Sequence, residues 1–491
     1  MGNPKGFMEF TRELPKKRPV AERIRDYKEI YLPFPEEKLI AQGGRCMDCG
    51  VPTCHSGCPL GNLIPDWNDR VYRGQWRDAI RELHSTNNFP EFTGRLCPAP
   101  CEEACVLSIN EPAVAIELIE KEIIERAFQE GWVVPDPPER RTGKTVAVIG
   151  SGPAGLACAQ QLNRAGHTVT IFERDDRIGG LVRYGIPDYK MDKALIDRRL
   201  EILAAEGLIF ETGVHVGVDT TEADLAQFDA VVLSTGATVA RDMPAPGREL
   251  EGVQLAMNYL PQQNRRVAGD AVDAPNGPRI SAAGKRVVVL GGGDTSSDCI
   301  GNAIREGAQS VHNFILYPEP PRKRPAGQPW PFWPDRMRTT TAQEEGCERH
   351  FGLRATEFIG ENGTLTAVKT MDLQFTPAPG QRRPIIQEIP GSERIWPADL
   401  VLIAIGFTGP EPDTVVSQLN LELDDRGRLR TDANYMTRRP GVCAAGDARM
   451  GASLIVWAIS EGREAARRVD LFLMGRSDLP TKGAGDLPRV S

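Results

Sequence analysis

The spacing of apolar residues changes along the chain, and each change predicts a different kind of structure. Up to about Gln129 the apolar residues recur as on one face of a helix. The stretch Val133–Lys144 is rich in proline and charge, so we interpret it as a linker. After it, short continuous apolar runs alternate with helix-like stretches, a pattern typical of parallel sheets covered by helices.

Two of these apolar runs lead into glycine-rich turns. The first unit is TVAVIG, SGPAG, a helix and the strand TVTIFER; the second is KRVVVLG, GGDTSSD, a helix through Ala303 and the strand SVHNFIL. Two such units predict an α/β protein with two Rossmann-like nucleotide-binding domains behind a helical N-terminal domain. The segment Tyr317–Pro334 is too rich in proline for helix or sheet and is predicted to be an ordered surface loop.

Composition and charge narrow the class of protein. The chain has 491 residues, 40% of them hydrophobic and 26% charged, and a net charge of −8, which gives no global basic field for nucleic acid. The charged N-terminus lacks the apolar segment of a secretory signal. The longest apolar runs, such as Leu400–Phe407, are too short to span a bilayer. We therefore expect a soluble cytoplasmic protein.

Seven of the 11 cysteines lie in one region, which in a cytosolic chain indicates metal or redox chemistry rather than disulfides. The pattern C-x2-C-x4-C-x3-C-P begins at Cys46 and is similar to a ferredoxin run whose last cysteine serves a second cluster. The pattern C-x3-C-x3-C follows from Cys97. The predicted cluster ligands here are Cys46, Cys49, Cys54, Cys58, Cys97, Cys101 and Cys105.

Two four-coordinate clusters need about eight ligands, so one ligand is expected not to be a cysteine. Glu120 is the candidate, because its neighbours at i−4, i+3 and i+4 in the predicted helix Val114–Phe128 are all isoleucines. An unpaired carboxylate on an apolar face is costly, so its partner is either iron or an arginine. A structural zinc ion held by several cysteines is the alternative for this region, whereas Cys158 and Cys299 are interpreted as core residues.

The first glycine-rich turn fits GxGxxG between a strand and a helix, where backbone N–H groups approach a pyrophosphate. An acid ends the next strand, at the distance expected for a ribose contact. A late Gly-Asp pair after the strand GVCAAGD suits the ribityl chain of a flavin. The predicted FAD-binding residues are Gly150, Gly152, Pro153, Ala154, Gly155, Glu173, Arg174, Gly180, Leu181, Thr235, Gly236, Gly446, Asp447, Ser453 and Leu454.

The second turn departs from this pattern, because Ser296 replaces the third glycine. No acid ends the strand that follows, but a basic run begins at Arg322, which suits a 2′-phosphate and favours NADPH over NADH. A solvated charge run is the alternative for any single residue of that run. The predicted NADPH-binding residues are Gly291, Gly293, Asp294, Thr295, Ser296, Arg322 and Arg324.

The flavin signals lie on both sides of the second turn, so the FAD domain is expected to be split by an inserted NADPH domain. The predicted boundaries are residues 1–140 for a helical [4Fe–4S] domain, 141–281 for the first part of the FAD domain, 282–407 for the NADPH domain and 408–491 for the second part of the FAD domain.

Several segments are specific enough to indicate a family: CGVPTCHSGCPLGNLIPDWND, TNNFPEFTGRLCPAPCEEACVL, NEPAVAIELIEK, the GSGPAG turn, GGGDTSSDC, and GASLIVWAI after AGDAR. Over nearly its whole length the chain resembles the small (β) subunits of NADPH-dependent glutamate synthases. The same module is similar to the N-terminal half of dihydropyrimidine dehydrogenase. The resemblance implies two [4Fe–4S] clusters, one held by Cys46, Cys49, Cys54 and Cys105, and the other by Cys58, Cys97, Cys101 and Glu120.

The resemblance also implies an electron-input subunit. It would oxidise NADPH at FAD and pass electrons through the clusters to a large subunit that makes glutamate from glutamine and 2-oxoglutarate. Hydride transfer needs no protein acid or base at its centre, so no catalytic side chain is predicted. Met450 and Ala452 stand where the family usually shows Arg and Gln, from which we expect subtle changes at the flavin or partner face.

Other functions fit parts of the sequence. The same module serves another acceptor in one alternative, such as a pyrimidine reductase or a ferredoxin. A disulfide reductase of the thioredoxin-reductase type is disfavoured, because Cys299 of the nicotinamide domain is not part of a C-x-x-C. In a third alternative the N-terminal domain is a zinc-stapled docking module on a flavoprotein.

Overall fold

The structure is a computed structural model that describes residues 3–271, 279–377 and 384–482; the outer ends of the predicted first and last domains, residues 1 and 491, lie outside these ranges. Its N-terminal domain is helical, as predicted. The helices are α1 (Gly6–Glu9), α2 (Val20–Arg23), α3 (Glu36–Gly44), α4 (Thr53–Gly57), α5 (Ile64–Tyr72), α6 (Trp76–Thr86), α7 (Pro90–Leu96), α8 (Pro100–Glu103) and α9 (Ile116–Gln129), with a 3₁₀ turn at Val106–Ile109.

These helices bury their apolar faces against one another around Trp67, Phe92 and Ile123, whose side chains are almost fully buried. Helices α5, α7 and α8 each have a proline in the first turn, where the missing N–H leaves no hydrogen bond unmade. The short helices leave many loops and helix ends inside the domain, and the predicted cluster ligands lie at these positions or on α9.

The second domain is built on a parallel five-stranded sheet in the order β14-β4-β1-β2-β3. Its strands are β1 (Thr145–Ile149), β2 (Thr168–Glu173), β3 (Ile209–Thr212), β4 (Ala230–Leu233) and β14 (Val442–Ala444). Its helices are α10 (Pro153–Arg164), α11 (Leu181–Tyr184), α12 (Ala194–Ala205), α13 (Glu222–Leu225), α16 (Asp447–Met450) and α17 (Ile455–Met474), with a π-helical turn at Pro412–Val416. The last strand thus joins the first sheet about 200 residues after β4, as a split domain requires.

The third domain has a second parallel sheet, in the order β5-β13-β6-β7-β8, and an antiparallel sheet in which β10 pairs with β9, β11 and β12. Its strands are β5 (Val253–Leu255), β6 (Arg286–Leu290), β7 (Ser310–Ile315), β8 (Glu348–Phe351), β9 (Leu353–Glu361), β10 (Thr364–Thr376), β11 (Ile385–Glu388), β12 (Arg394–Pro397) and β13 (Leu400–Ile403). Its helices are α14 (Ala256–Val267) and α15 (Asp294–Arg305), with a 3₁₀ turn at Gln343–Glu345.

The predicted boundary between residues 281 and 282 is too late in the chain. Strand β5 pairs with β13 of the second sheet, in the register Val253↔Val401, and α14 follows it directly. The crossover to the inserted domain therefore lies between β4 and β5. A three-residue strand carries no periodicity of its own, so only its pairing with a strand far away in the sequence reveals where it belongs.

The split domain is closed by α17, which packs along α10. A Cβ on Gly462 of α17 would lie 2.1 Å from the carbonyl oxygen of Ala154, so only glycine permits this approach. The next residues of α17 reach the helical domain: Ser460 Oγ donates to the Pro59 carbonyl at 2.8 Å, and Arg463 donates to Asn88 Oδ1 at 2.5 Å.

Buried ion pairs join the domains at two further places. Arg199 of α12 donates to both carboxylate oxygens of Glu91 in the helical domain, at 2.6 and 3.0 Å. Glu345 of the third domain accepts from Arg23 of α2 at 2.7 Å and from Arg305 of α15 at 2.6 Å. All five side chains are almost completely buried, so losing Arg199, Glu91 or Glu345 would leave an uncompensated charge.

In the described part of the chain, no helix has the length and apolar character that crossing a bilayer requires.

We expect Gly462→Ala to separate α17 from α10, because the new methyl group would overlap the Ala154 carbonyl. Overpacking of this kind costs about 1–3 kcal/mol. Thermal unfolding and the flavin-to-protein ratio of the purified variant measure the effect. Gly327→Ala is the matched control, since a Cβ there meets open space. An unfolding midpoint and flavin content equal to those of the parent would contradict the expected overlap.

Candidate functional site

Two cavities inside the helical domain divide the predicted cluster ligands between them. We name them the Cys58 cavity and the Cys46 cavity, after one lining residue of each. The predicted ligands that line the Cys58 cavity are Cys58, Cys97, Cys101 and Glu120. The predicted ligands that line the Cys46 cavity are Cys46, Cys49, Cys54 and Cys105. Each cavity gathers the four residues that the family resemblance assigns to one cluster.

Two short helices, α4 and α8, each connect a cysteine of one cavity to a cysteine of the other. Cys54 lies in α4 and Cys58 follows that helix directly; in the same way Cys101 lies in α8 and Cys105 follows shortly after it. Residues four apart in a helix are about 6 Å apart along its axis. The two cavities are therefore close neighbours.

The spacing of the ligand atoms decides between a cluster and a single ion. A tetrahedral zinc site with Zn–S distances of about 2.3 Å brings its sulfurs to about 3.8 Å from one another. Among the described residues, no three of these thiol and carboxylate atoms lie within 4.8 Å of one another. The donors are thus too far apart for one zinc ion, and their thiolate chemistry fits an iron–sulfur cluster.

Burial also makes these thiols dependent on a metal. Burial raises the pKa of Cys58 to about 11 and that of Cys46 to about 12. A thiol with so high a pKa is protonated at neutral pH, and metal coordination releases its proton. The cavities are therefore suited to hold thiolates only when a cationic group is present.

Glu120 is the acid of the Cys58 cavity, and its side chain is held by two neighbours. Its residue is only 6% exposed, and Oε1 accepts hydrogen bonds from Asn87 Nδ2 at 2.8 Å and from the Thr93 hydroxyl. Burial raises the pKa of Glu120 to about 7, whereas these two hydrogen bonds lower it. Within the described ranges no ion pair joins Glu120 to an arginine, which removes that alternative partner.

Glu117 lines the same cavity but was not among the predicted ligands. Burial, and then the charges of Glu102 and Glu120, raise the pKa of this carboxyl well above its usual range. Its position three residues before Glu120 on α9 is the signal that could have identified it, because residues three apart share a helix face.

The first glycine-rich turn is shaped to receive another molecule. Gly150 has a φ of +100°, and a Cβ there would lie 2.5 Å from the carbonyl oxygen of Ser234. By contrast, a Cβ on Gly152 or Gly236 would meet open space. The hydroxyl of Thr235 is buried and has no hydrogen-bond partner among the described residues. Open glycine backbone beside an unsatisfied buried hydroxyl fits a bound dinucleotide such as FAD.

The acid at the end of β2 is turned toward this loop. Glu173 accepts hydrogen bonds from the Ser151 amide at 3.1 Å and from the Ser151 hydroxyl, and its other oxygen accepts from the Asp175 amide at 2.9 Å. It therefore holds the turn in place as well as standing at the predicted ribose position. Arg174 beside it forms an ion pair with Glu411 at 2.6 Å.

The remaining predicted flavin residues surround the same turn. Gly446 has a φ of +66° and approaches Ala154 so closely that a Cβ would lie 2.6 Å away. Asp447 accepts a hydrogen bond from the Ser453 hydroxyl at 2.6 Å. The other predicted residues are Pro153 and Gly155 at the start of α10, Gly180 and Leu181 at the start of α11, and Leu454 immediately before α17.

The second turn is built in a similar way but is closed by a serine. Gly291 has a φ of +130°, and a Cβ there would lie 2.1 Å from the Ala404 carbonyl oxygen. The Ser296 hydroxyl donates to the Gly293 carbonyl at 2.6 Å, which uses the side chain that replaces the third glycine. The first turn of α15 contains Asp294, Thr295 and Ser296. The start of this helix is the position predicted for the pyrophosphate of NADPH.

The two predicted arginines have different surroundings. Arg322 is exposed. Arg324 is half-buried and donates to the side chain of Glu103 in the helical domain at 3.2 Å. Arg336 and Arg338 also form ion pairs with Glu103. The prediction of a 2′-phosphate contact therefore rests on Arg322, because Arg324 is engaged elsewhere.

The proline-rich loop contacts the backbone of one predicted ligand of the Cys46 cavity. As predicted, the structure gives Tyr317–Pro334 no helix or strand. The loop is more than a surface feature, however, since the indole N–H of Trp330 donates to the Cys105 carbonyl at 3.1 Å. A loop of the third domain thus contacts a predicted cluster ligand, which the sequence did not indicate.

Comparison with known proteins identifies the family. Residues 144–462 match the model described as pyridine nucleotide-disulphide oxidoreductase, and residues 23–132 match dihydropyrimidine dehydrogenase domain II, 4Fe-4S cluster. The chain is 54% identical to the glutamate synthase [NADPH] small chain of Mycobacterium tuberculosis over 98% of each protein. The chain belongs to the glutamate synthase small-chain family. The predictions of an oxidoreductase fold and of a [4Fe–4S] domain are confirmed.

Other relatives extend this picture. The small chain of Bacillus subtilis is 46% identical over 98% of this chain and 100% of its own. Glutamate synthase [NADH] of Saccharomyces cerevisiae is 45% identical over 98% of this chain but only 23% of its own. Among solved structures, FprA from Mycobacterium tuberculosis has a TM-score of 0.53 at 18% identity, covers 68% of this chain and 85% of its own, and supports the fold alone.

We expect Glu120→Ala to lose iron from the Cys58 cavity while flavin stays bound. Iron content should fall from about eight per FAD toward about four, because one four-iron cluster loses a ligand. Iron analysis and the cluster's paramagnetic resonance signal measure this. Glu122→Ala is the matched control, since Glu122 lies on the same helix but pairs with Lys121 at the surface. Unchanged iron and an unaltered signal would remove Glu120 from the ligand set.

We expect Arg322→Ala to raise KM for NADPH by about tenfold or more, the cost of one lost charged hydrogen bond. KM for NADH should change little, because NADH lacks the 2′-phosphate. Steady-state kinetics with both nucleotides measure the ratio. Arg324→Ala serves as comparison and should affect both nucleotides equally. If Arg322→Ala also affects both equally, neither arginine binds the 2′-phosphate.

Proposed function

We propose that this chain is the electron-input subunit of a glutamate synthase. It oxidises NADPH at FAD and delivers the electrons through two [4Fe–4S] clusters to a large subunit that makes glutamate from glutamine and 2-oxoglutarate. The observation that carries the proposal is the pair of neighbouring cavities, each lined by one four-residue ligand set. The family membership supports the identity of the overall reaction.

Each group has residues suited to hold it. FAD, when bound at the Gly150 turn, supplies the conversion between a two-electron hydride donor and one-electron acceptors. The chain's own residues would bind and orient it: the backbone of the turn would receive the pyrophosphate and Glu173 would contact the ribose, while Asp447 lies near α17. No side chain has to move a proton at the centre of the hydride transfer, which agrees with the absence of a predicted acid or base.

The positions of the cavities suggest the direction of electron flow. Val456 of α17, the helix that closes the flavin domain, lines the Cys58 cavity. The Cys46 cavity lies on the far side of α4, beside exposed residues that include Asp48 and Val51, the latter 79% exposed. In this proposal electrons pass from FAD at the Gly150 turn to the Cys58 cavity, then to the Cys46 cavity, and then to the protein surface.

The electron acceptor in this proposal is a large subunit. The bacterial relatives are named small chains, which describes one part of an assembly. In the yeast relative the segment like this chain is only 23% of a longer protein, so the same module is there joined to the rest of the enzyme. A cytoplasmic location is part of the same proposal.

The test is the iron, sulfide and flavin content of the anaerobically purified chain, with and without a co-expressed large subunit. We expect about eight irons per FAD and glutamate formation from glutamine, 2-oxoglutarate and NADPH only in the assembly. The Glu120→Ala variant is the matched control, because it should reduce flavin with NADPH yet form no glutamate. Glutamate formation by that variant, or full loading without any glutamate formed by the assembly, would contradict the proposal.

A further inference from the structure

Three side chains that no part of the electron path uses meet on neighbouring strands of the second sheet. Strands β7 and β8 are parallel neighbours, and His312 of β7 is paired with Glu348 of β8. His350 lies two residues beyond Glu348, so the two side chains project from the same face of β8. Neighbouring strands are about 4.8 Å apart, which brings His312 within reach of both.

The distances between these groups resemble those around one metal ion. His312 Nδ1 lies 3.2 Å from His350 Nε2, and Glu348 Oε2 lies 3.6 Å from His312 Nδ1 and 4.0 Å from His350 Nε2. In a tetrahedral zinc site with Zn–N distances of about 2.05 Å, two nitrogens are about 3.3 Å apart. The two nitrogens are already close to that separation, and the carboxylate oxygen of Glu348 would have to move toward them by less than about 1 Å.

The surroundings keep the imidazoles in place and available. Trp396 packs against both rings, with centroid distances of 5.6 Å to His312 and 4.7 Å to His350. The nearby cation Arg394 is paired with Asp372. The Glu348 side chain is 72% exposed, so an ion can enter from solvent.

We propose that His312, Glu348 and His350 form a binding site for a divalent transition-metal ion of the Zn²⁺ class, with the fourth position open to water. Imidazole and carboxylate donors suit such an ion, whereas the cavities of the helical domain offer mainly thiols. A bound ion would link the edge strand β8 to β7 through ligands on both strands. Strand β7 is followed by the loop that contains Arg322. A hydrogen-bonded pair of neutral imidazoles with no affinity for metal is the competing explanation of the same geometry.

The test is calorimetric titration of the anaerobically purified holoenzyme with Zn²⁺, with iron measured before and after to confirm that the clusters stay intact. The parent should bind one ion at this site. His350→Asn and Glu348→Gln should weaken binding by more than the ~100-fold that losing an outer-shell partner costs. His215→Asn is the matched control, because His215 has an acid, Glu411, at 3.8 Å but no second imidazole.

The site is supported if the His215 variant binds zinc as tightly as the parent while both ligand variants lose zinc binding. Glu348→Gln changes an exposed side chain, so its result does not depend on whether the His350 variant folds. If the parent binds no ion, or if either ligand variant binds as tightly as the parent, the three residues are not a metal site and the imidazole pair is only a hydrogen bond.

Discussion

The close approach of α17 to α10 is the contact on which the positions of all the sites depend. Gly462 of α17 lies against Ala154, which is in the first turn of α10 directly after the Gly150 turn. The same helix contributes Val456 to the Cys58 cavity and contacts the helical domain through Ser460 and Arg463. One helix thus sets the distance between the flavin turn and the nearer predicted cluster site.

Buried charges add a second level of constraint at the domain boundaries. The Arg199–Glu91 pair and the Arg23–Glu345–Arg305 triad are each costly to desolvate, so they are a weak source of stability by themselves. Their value lies in specificity, because any domain arrangement that separates them leaves an unpaired charge in the interior. Electron transfer between fixed groups benefits from such a single arrangement.

The sequence predicted what depends on local chemistry. The two glycine turns, the cysteine groups and Glu120 could be proposed as sites because each depends on particular residues at short spacings. The structure brings the cysteines and Glu120 together at two cavities. The predicted boundary between residues 281 and 282 was wrong because β5, which comes before it in the chain, pairs with the distant strand β13 of the third domain. The partner of Arg324 was not predictable either, since Glu103 lies 221 residues away along the chain.

The loop between β7 and the Gln343–Glu345 turn joins two predicted sites that belong to different domains. Arg322 of this loop is exposed to solvent, and eight residues later the indole N–H of Trp330 donates to the carbonyl of Cys105. The predicted nucleotide site and a predicted cluster ligand are therefore joined by one short stretch of backbone, in addition to the contacts between their domains.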